Sequence, residues 1–210
     1  MAGISLSDLV ARRHRLGPFD PEGRALRLHA GDHVTDPSLV DLVDMTALKD
    51  AAVLLGLFES EEGLRLILTR RTDHLRSHAG QVALPGGRID AGDASPLAAA
   101  LREADEEIGL DPAAVEPLGM LSPYVTNSGY RVFPVVAQVA GAPVLVPNPD
   151  EVAEVFDVPL GFLMDPANHQ IERRPWKGME RSYYAMPYDR HRIWGVTAGI
   201  LRLFYDEVFR

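Results

Sequence analysis

Three glutamates near the middle of the chain have a spacing that brings them together. In a helix, Glu103, Glu106 and Glu107 share one face, and the opposite face is apolar, formed by Leu97, Leu101, Ala104 and Ile108. Like charges at these spacings cost about 0.2–0.5 kcal/mol per pair, and the helix dipole disfavours anions near a C-terminus. A divalent cation would remove both penalties. Because Mg²⁺ takes oxygen ligands and usually binds substrate phosphates as well, the pattern predicts cation and phosphate chemistry.

Signals on both sides define the helix that carries these glutamates. Ser95 is a good N-cap, Pro96 suits the first helical position, and Gly109 is a typical stop. The preceding segment, residues 73–92, is long, polar and glycine-rich, and loops of this length tend to be functional or disordered. Its paired glycines, Gly86-Gly87, allow the backbone to approach a metal ion or a phosphate closely.

The rest of the chain mixes strands and helices without a regular βαβ order. The apolar run 51–58 predicts a central strand, and the alternation in residues 64–69 predicts its hairpin partner. Further strands are predicted at 115–125, 132–139, 181–186 and 191–194, with a short helix at 159–164 and a C-terminal helix at 197–209. This order favours a mixed-sheet α/β or α+β sandwich. We expect residues 51–210 to form the main domain and residues 1–50 an N-terminal extension, with helices predicted at 5–16 and 37–49.

Composition and charge exclude several classes of protein. The net charge of −9 argues against a general nucleic-acid binder, and the absence of cysteine excludes disulfides, thiolate metal sites and a cysteine nucleophile. The longest apolar run, 51–58, is too short to span a bilayer, and the N-terminus lacks the apolar core of a secretory signal. We expect a cytoplasmic protein that binds neither membranes nor nucleic acids. A homodimer is a further prediction, with the N-terminal extension and the C-terminal helix as its surface.

One stretch of sequence resembles the Nudix box. That pattern is Gly, five residues, Glu, seven residues, Arg-Glu, an apolar residue, any residue, Glu-Glu, any residue, Gly and an apolar residue. Gly87 begins it, and its second half is matched at every fixed position by Arg102-Glu103-Ala104-Asp105-Glu106-Glu107-Ile108-Gly109-Leu110. The first half departs from it, since Asp93 replaces the Glu and eight residues, not seven, separate Asp93 from Arg102.

With this departure, the sequence resembles the coenzyme A diphosphatase branch of the family. The branch's own upstream motif is resembled by Leu68-Thr69-Arg70-Arg71-Thr72, Leu75-Arg76, Gly80-Gln81-Val82 and Leu84-Pro85-Gly86-Gly87. Two positions differ, with Thr72 in place of Ser and Leu84 in place of Phe. The resemblance continues through residues 127–132, 151–152 and 193–198, so it covers roughly residue 51 to the C-terminus and leaves the first fifty residues unexplained.

The resemblance implies an α/β/α sandwich and a metal-dependent enzyme. It implies Mg²⁺ or Mn²⁺ held by Glu103, Glu106 and Glu107, and hydrolysis of coenzyme A to 3′,5′-ADP and 4′-phosphopantetheine. Catalytic roles are predicted for Glu106, Glu107, Glu151 and Arg102, where Arg102 orients carboxylates and Glu151 is either a further ligand or the base. Substrate binding is predicted for Arg70, Arg71, Arg76, Gly86 and Gly87.

Several alternatives stay open at this point. The same chemistry suits ADP-ribose or a dinucleotide such as NADH, because surrounding loops, not the box, select the substrate. A non-catalytic domain that senses a nucleotide or binds a protein is a third reading, against which the retention of all three glutamates argues. Among single residues, His74 and His78 fit hydrogen bonding better than proton transfer, and Trp194 is expected in the core or at a dimer surface.

Overall fold

The fold is described from a computed structural model covering residues 3–19, 30–75, 77–176 and 179–210. Its helices are α1 (Leu6–Ala11), α2 (Asp32–Thr35), α3 (Pro96–Ile108), α4 (Leu160–Leu163) and α5 (Val196–Phe204). Its strands are β1 (Lys49–Ser60), β2 (Gly63–Arg71), β3 (Val82–Ala83), β4 (Gly86–Arg88), β5 (Val115–Met120), β6 (Tyr124–Val125), β7 (Tyr130–Val139), β8 (Val152–Pro159), β9 (Gln170–Trp176), β10 (Met179–Tyr188) and β11 (His191–Trp194). Short 3₁₀ helices lie at Arg13–Arg15, Pro37–Leu42, Pro112–Ala114 and Pro166–Asn168, and the π-helical turn Tyr205–Phe209 follows α5.

Strand β1 is the axis of a mixed sheet that has eight strands within the described residues. One edge of β1 pairs in parallel with β7, and the other edge pairs antiparallel with two strands in turn. Residues 51–53 of β1 pair with β4, and residues 57–60 pair with β2. Strand β2 also pairs with β3 and β8, while β5 and β6 pair with β7. The partners of β1 therefore diverge halfway along its length.

The alternation of side chains along β1 supplies both faces of this sheet with core residues. Leu54 points into a cluster that includes Ala100, Ala104 and Ile108 of α3, and Leu55 points into a second cluster with Leu201 and Phe204 of α5. A helical layer thus covers each face. This confirms the predicted α/β/α sandwich with a mixed sheet.

The predicted elements differ from the observed ones at several places. Strands β8 and β9 were not predicted, and the expected 73–92 loop contains β3 and β4. The helix expected at 5–16 is split into α1 and a 3₁₀ turn, and the helix expected at 37–49 is a 3₁₀ helix that ends at Leu42. Strands β9, β10 and β11 form a separate antiparallel sheet. Among the described residues, none of the helices combines the length and the apolar character that a membrane crossing requires.

Part of the N-terminal segment is joined to the sheet by a buried carboxylate. Asp32, at the start of α2, accepts hydrogen bonds from the Tyr124 hydroxyl at 2.9 Å, the Asn127 N–H at 3.0 Å and the Arg181 guanidinium at 3.1 Å. Burial, and the negative charge of Asp32, raise the pKa of Tyr124 well above its ordinary value. Because three donors from β6, the following turn and β10 converge on it, Asp32 connects α2 to both sheets.

We expect Asp32→Ala to destabilise the fold by about 3 kcal/mol, because it removes a buried acceptor from a charged partner and two neutral donors. Urea unfolding at neutral pH measures this. Glu61→Ala is the control, since Glu61 is exposed in the β1–β2 turn and its loss should change stability by less than about 0.5 kcal/mol. Equal stability of the two variants would show that this carboxylate does not hold α2 in place.

Candidate functional site

Helix α3 carries Glu103, Glu106 and Glu107, which we call the acidic cluster, and it is fixed at both ends. The Ser95 side chain accepts the Ala98 N–H at 3.1 Å, and the helix stops at Gly109. At the C-terminal end, the carbonyls of Glu107 and Ile108 accept the N–H groups of Asn148 and Val146, both at 2.8 Å. The helix end that carries the acidic cluster is therefore held against the 143–148 loop, and its last carbonyls are satisfied.

Glu107 is the buried member of the acidic cluster, only 4% exposed. Burial raises its pKa to about 7; the Gly86 N–H, which it accepts at 3.1 Å, and the charge of Arg71 oppose this shift, and the charges of Glu103 and Glu151 add to it. Arg71 lies 3.5 Å from the carboxylate. The three glutamates thus do not share one solvated face, because Glu107 turns inward to these two partners.

Strand β4 lies so close to β1 on one side and to α3 on the other that two of its positions have no room for a side chain. Gly86 has a φ of +151°, and a Cβ there would lie 2.3 Å from the carbonyl oxygen of Ala52. A Cβ on Gly87 would lie 2.5 Å from the carboxylate of Glu103. The bare backbone of these glycines therefore forms a cradle against which Glu103 and Glu107 rest.

Arg102 ties the carboxylates on the outer side of α3 together. Its guanidinium donates two bonds of 3.0 Å to Asp93, one of 3.0 Å to Glu103 and one of 3.0 Å to Glu106. A further bond of 3.1 Å reaches the carbonyl of Arg88 in β4. The Asp93 hydrogen bond is the main reason why the pKa of Arg102 is raised, and the same bond lowers the pKa of Asp93. Asp93 therefore holds Arg102 in position, and it closes a turn by accepting the Asp90 N–H at 2.8 Å.

The acidic cluster and the carboxylates around it carry an excess of negative charge on hard oxygen donors. In the described part of the chain, two guanidiniums, Arg71 and Arg102, face six carboxylates, so four negative charges are uncompensated at full ionisation: the carboxylates are Asp90, Asp93, Glu103, Glu106, Glu107 and Glu151. Burial raises the pKa of Glu103 as well, and the charges of Glu106 and Glu151 contribute. Carboxylates that raise one another's pKa fit a hard divalent cation. In the described part of the chain, however, no three acidic or histidine side chains already surround a single ion position.

A cavity of about 500 Å³ opens beside the glycine cradle. Its charged walls are Arg71 and Arg88, and no aspartate or glutamate lines it among the described residues. The remaining wall is partly polar, with Ser77, His78, Gln81, Thr126, Ser128 and Thr197, and partly apolar, with Val53, Val82, Leu84, Val132, Val196 and Ile200. In a chain of net charge −9, this lining favours an anionic ligand.

The structure brings together most, but not all, of the predicted site residues. Arg71, Gly86 and Gly87 line the cavity, next to the three glutamates and Arg102. Arg70 does not line it, because its guanidinium turns to Asp73 at 3.0 Å. Neighbouring strand residues point to opposite sides, and a register shift lies between Arg70 and Arg71. Arg76 lies outside the described residues.

One residue of the cavity had been placed elsewhere by sequence reasoning. Trp194 was expected in the core or at a dimer surface, but it lines the cavity at the end of β11. The long-range packing of β11 beside β3 puts it there, and no local pattern reports such a contact. Ser128, which is not among the predicted site residues, also lines the cavity, and its hydroxyl lies 2.9 Å from the Thr126 hydroxyl.

The protein-family model described as NUDIX domain matches residues 47–177 of the chain. The chain belongs to the Nudix family. Nudix hydrolase 15, mitochondrial, of Arabidopsis thaliana is 42% identical over 160 residues, which are 73% of this chain and 56% of that protein. The match thus spans little more than half of the plant protein's length. The uncharacterized Nudix hydrolase NudL of Escherichia coli K12 is 40% identical over 154 residues, 73% of this chain and 80% of NudL.

Among solved structures, the Nudix hydrolase RenU of M. smegmatis has 27% sequence identity and a TM-score of 0.47, with 53% of this chain and 71% of that chain covered. The family match and the curated relatives show that the protein is a Nudix hydrolase, an enzyme that hydrolyses diphosphate bonds. Enzymes of this family generally need divalent metal ions. The α3 helix with its glycine cradle is the Nudix box of this chain.

Gly87→Ala should displace the Glu103 carboxylate, a predicted metal ligand, and lower kcat/KM for diphosphate hydrolysis by about 100-fold, the loss expected from a misplacement of about 1 Å. Steady-state rates with Mg²⁺ measure this. Gly92→Ala is the matched control, because no atom lies within 4 Å of a Cβ built there. Wild-type rates in a folded Gly87→Ala variant would contradict the role of the cradle.

The burial of Glu107 predicts a pH-dependent stability. Because its pKa is raised from 4.5 to about 7, the native state keeps a proton that the unfolded state releases between these pH values. The stabilisation by this proton is present at acid pH and lost as pH rises through 7. Glu107→Gln should therefore exceed the wild type in stability at pH 8, by on the order of 2 kcal/mol, and the gain should shrink towards pH 5.

Thermal unfolding in the presence of a chelator measures the difference between the two proteins. Glu116→Gln, at an exposed position of β5, should show no such dependence on pH. A Glu107→Gln difference that stays constant from pH 5 to pH 8 would mean that the buried carboxylate does not carry the shift.

Proposed function

We propose that this Nudix hydrolase cleaves the diphosphate bond of coenzyme A or its thioesters, giving 3′,5′-ADP and 4′-phosphopantetheine or its acyl derivative. The observation that carries the proposal is the cavity beside the acidic cluster, with Arg71 and Arg88 as its charged walls. Its apolar surface offers contacts to the uncharged pantetheine arm of coenzyme A. A dinucleotide such as NADH has a second nucleotide in place of this arm. The motif upstream of the Nudix box, which resembles that of coenzyme A diphosphatases, gives independent support.

The donor set fits Mg²⁺ or Mn²⁺, with Glu103, Glu106 and Glu107 as the proposed ligands. All three offer carboxylate oxygens, and position 87, as a glycine, places no side chain against the Glu103 carboxylate. When bound, such an ion neutralises phosphate charge and acidifies a water molecule. Arg102 holds Glu103 and Glu106 by 3.0 Å hydrogen bonds, and we assign it a positioning role in the site.

In the proposed reaction, the oxygen of water forms a bond to one phosphorus, and the bridging P–O bond breaks. The bridging oxygen leaves with the other phosphate, so the products are two phosphate monoesters. We assign to Glu151 the acceptance of the water proton, because its charge is close enough to raise the pKa of both Glu103 and Glu107. Arg71 lines the cavity and is assigned to the diphosphate, where a guanidinium can donate two hydrogen bonds.

Purified protein with Mg²⁺ or Mn²⁺ should release 3′,5′-ADP from coenzyme A, and Glu107→Gln should lower kcat/KM by at least about 100-fold, because it removes a charged ligand. A panel of coenzyme A, ADP-ribose and NADH, with products identified by mass spectrometry, measures this. The control is Glu116→Gln, an exposed glutamate-to-glutamine change distant from the site in the fold, which should keep wild-type rates.

A higher kcat/KM for ADP-ribose or NADH would replace coenzyme A as the substrate and retain the chemistry. Ligand binding without turnover, with metal present, would favour the non-catalytic alternative. The cytoplasmic location, the homodimer and the division at residue 50 remain predictions.

A further inference from the structure

Trp194 lies where the cavity meets the three-stranded sheet. It lines the cavity at the end of β11, opposite Ala185 of β10. Its ring centroid is 5.3 Å from that of Tyr183, and the guanidiniums of Arg174 and Arg192 lie 5.6 Å from it. The strand register places these side chains on one face of the sheet. The Trp194 ring at the cavity wall is therefore contacted by two guanidiniums, neither of which lines the cavity itself.

The two arginines differ in what neutralises them. Arg192 forms an ion pair with Glu172 and donates to the Tyr183 hydroxyl at 3.1 Å, so its charge is compensated and its position fixed. Arg174 is exposed, and it has no carboxylate partner in the described part of the chain. Its cation–π contact with Trp194 fixes its place without offsetting its charge.

The preceding residue provides a contrast on the same strand. Arg173 points to the opposite face of β9 and lies 3.7 Å from the Glu180 carboxylate. Adjacent arginines on one strand thus have separate environments, and only Arg174 of the two contacts the residue that lines the cavity.

We propose that Trp194, at the cavity wall, and Arg174, which contacts Trp194 from outside the cavity, form the nucleotide end of the substrate site, where Trp194 contacts the base and Arg174 binds a phosphate carried on the ribose. This inference rests on the proposed function for the placement of the diphosphate at the glycine cradle. It adds a basis for substrate specificity. The enzyme should prefer a nucleoside diphosphate derivative that carries an additional phosphate on the ribose over one that lacks this phosphate.

The chemistry of these side chains supports this selection. A base is recognised by stacking or edge contact with an aromatic side chain at about 1–3 kcal/mol per base, and this contact tolerates different bases. A phosphate monoester carries up to two negative charges, for which an uncompensated guanidinium is a suitable donor. The base contact alone would accept any nucleotide, so the distinction between substrates falls to Arg174.

The test compares coenzyme A with 3′-dephospho-coenzyme A, which differ only in that phosphate. Arg174→Ala should raise KM for coenzyme A about tenfold, the effect of one charge-assisted hydrogen bond, and change KM for dephospho-coenzyme A less than twofold. Arg174→Lys should recover part of the loss. Arg173→Ala is the matched control and should leave both KM values unchanged. Trp194→Leu should raise KM for both substrates, and Trp194→Phe should restore most of the affinity.

Binding measurements separate this proposal from the proposed function. By calorimetry, the wild type should bind 3′,5′-ADP more tightly than 5′-AMP, and Arg174→Ala should remove the difference. If neither coenzyme is hydrolysed but this binding pattern holds, the reaction is wrong and the subsite stands. If the wild type binds the two nucleotides equally or not at all, or if Arg174→Ala weakens both alike, the subsite is wrong whatever the enzyme hydrolyses.

Discussion

The arrangement of this enzyme depends on a carboxylate held inside the protein against its preference for water. Glu107 is 4% exposed, and among the described residues the Gly86 N–H and the Arg71 guanidinium are the partners that compensate its charge. Gly86 belongs to β4 and Arg71 to the end of β2, and α3 must pack against β4 for the carboxylate to reach the Gly86 N–H. The approach of α3 excludes a side chain at Gly87, the approach of β1 excludes one at Gly86, and the cavity lies beside both glycines.

Around this buried group, the remaining charges are divided between two surfaces of the site. On the α3 side, Arg102 holds Asp93, Glu103 and Glu106 in an acidic cluster. On the cavity side, the charged residues are arginines. A cation is attracted to the first surface and a phosphate to the second, so a metal–diphosphate complex would find opposite charges on both sides. The cavity side keeps a positive lining that complements a phosphate even though the chain as a whole is acidic.

Local signals in the sequence were sufficient for the elements that carry the chemistry. Ser95, Pro96 and Gly109 predicted both ends of α3, and the apolar run at 51–58 predicted the strand on which it packs. The inward turn of Glu107, the place of Trp194 and the three donors on Asp32 were not predictable in this way. Each of them depends on a partner far away in sequence, and residue periodicity contains no information about such pairs.

The change of partner along one edge of β1 has a consequence for how this enzyme diversifies. Residues 51–53 pair with β4, the strand of the glycine cradle, whereas β3 pairs with β2 and, with the loop before it, forms another wall of the cavity. Replacements of side chains in that wall leave the backbone pairing of β1 with β4 intact. Descendants of one ancestral gene can therefore acquire new substrates by altering a peripheral segment while the bond-breaking apparatus is inherited unchanged.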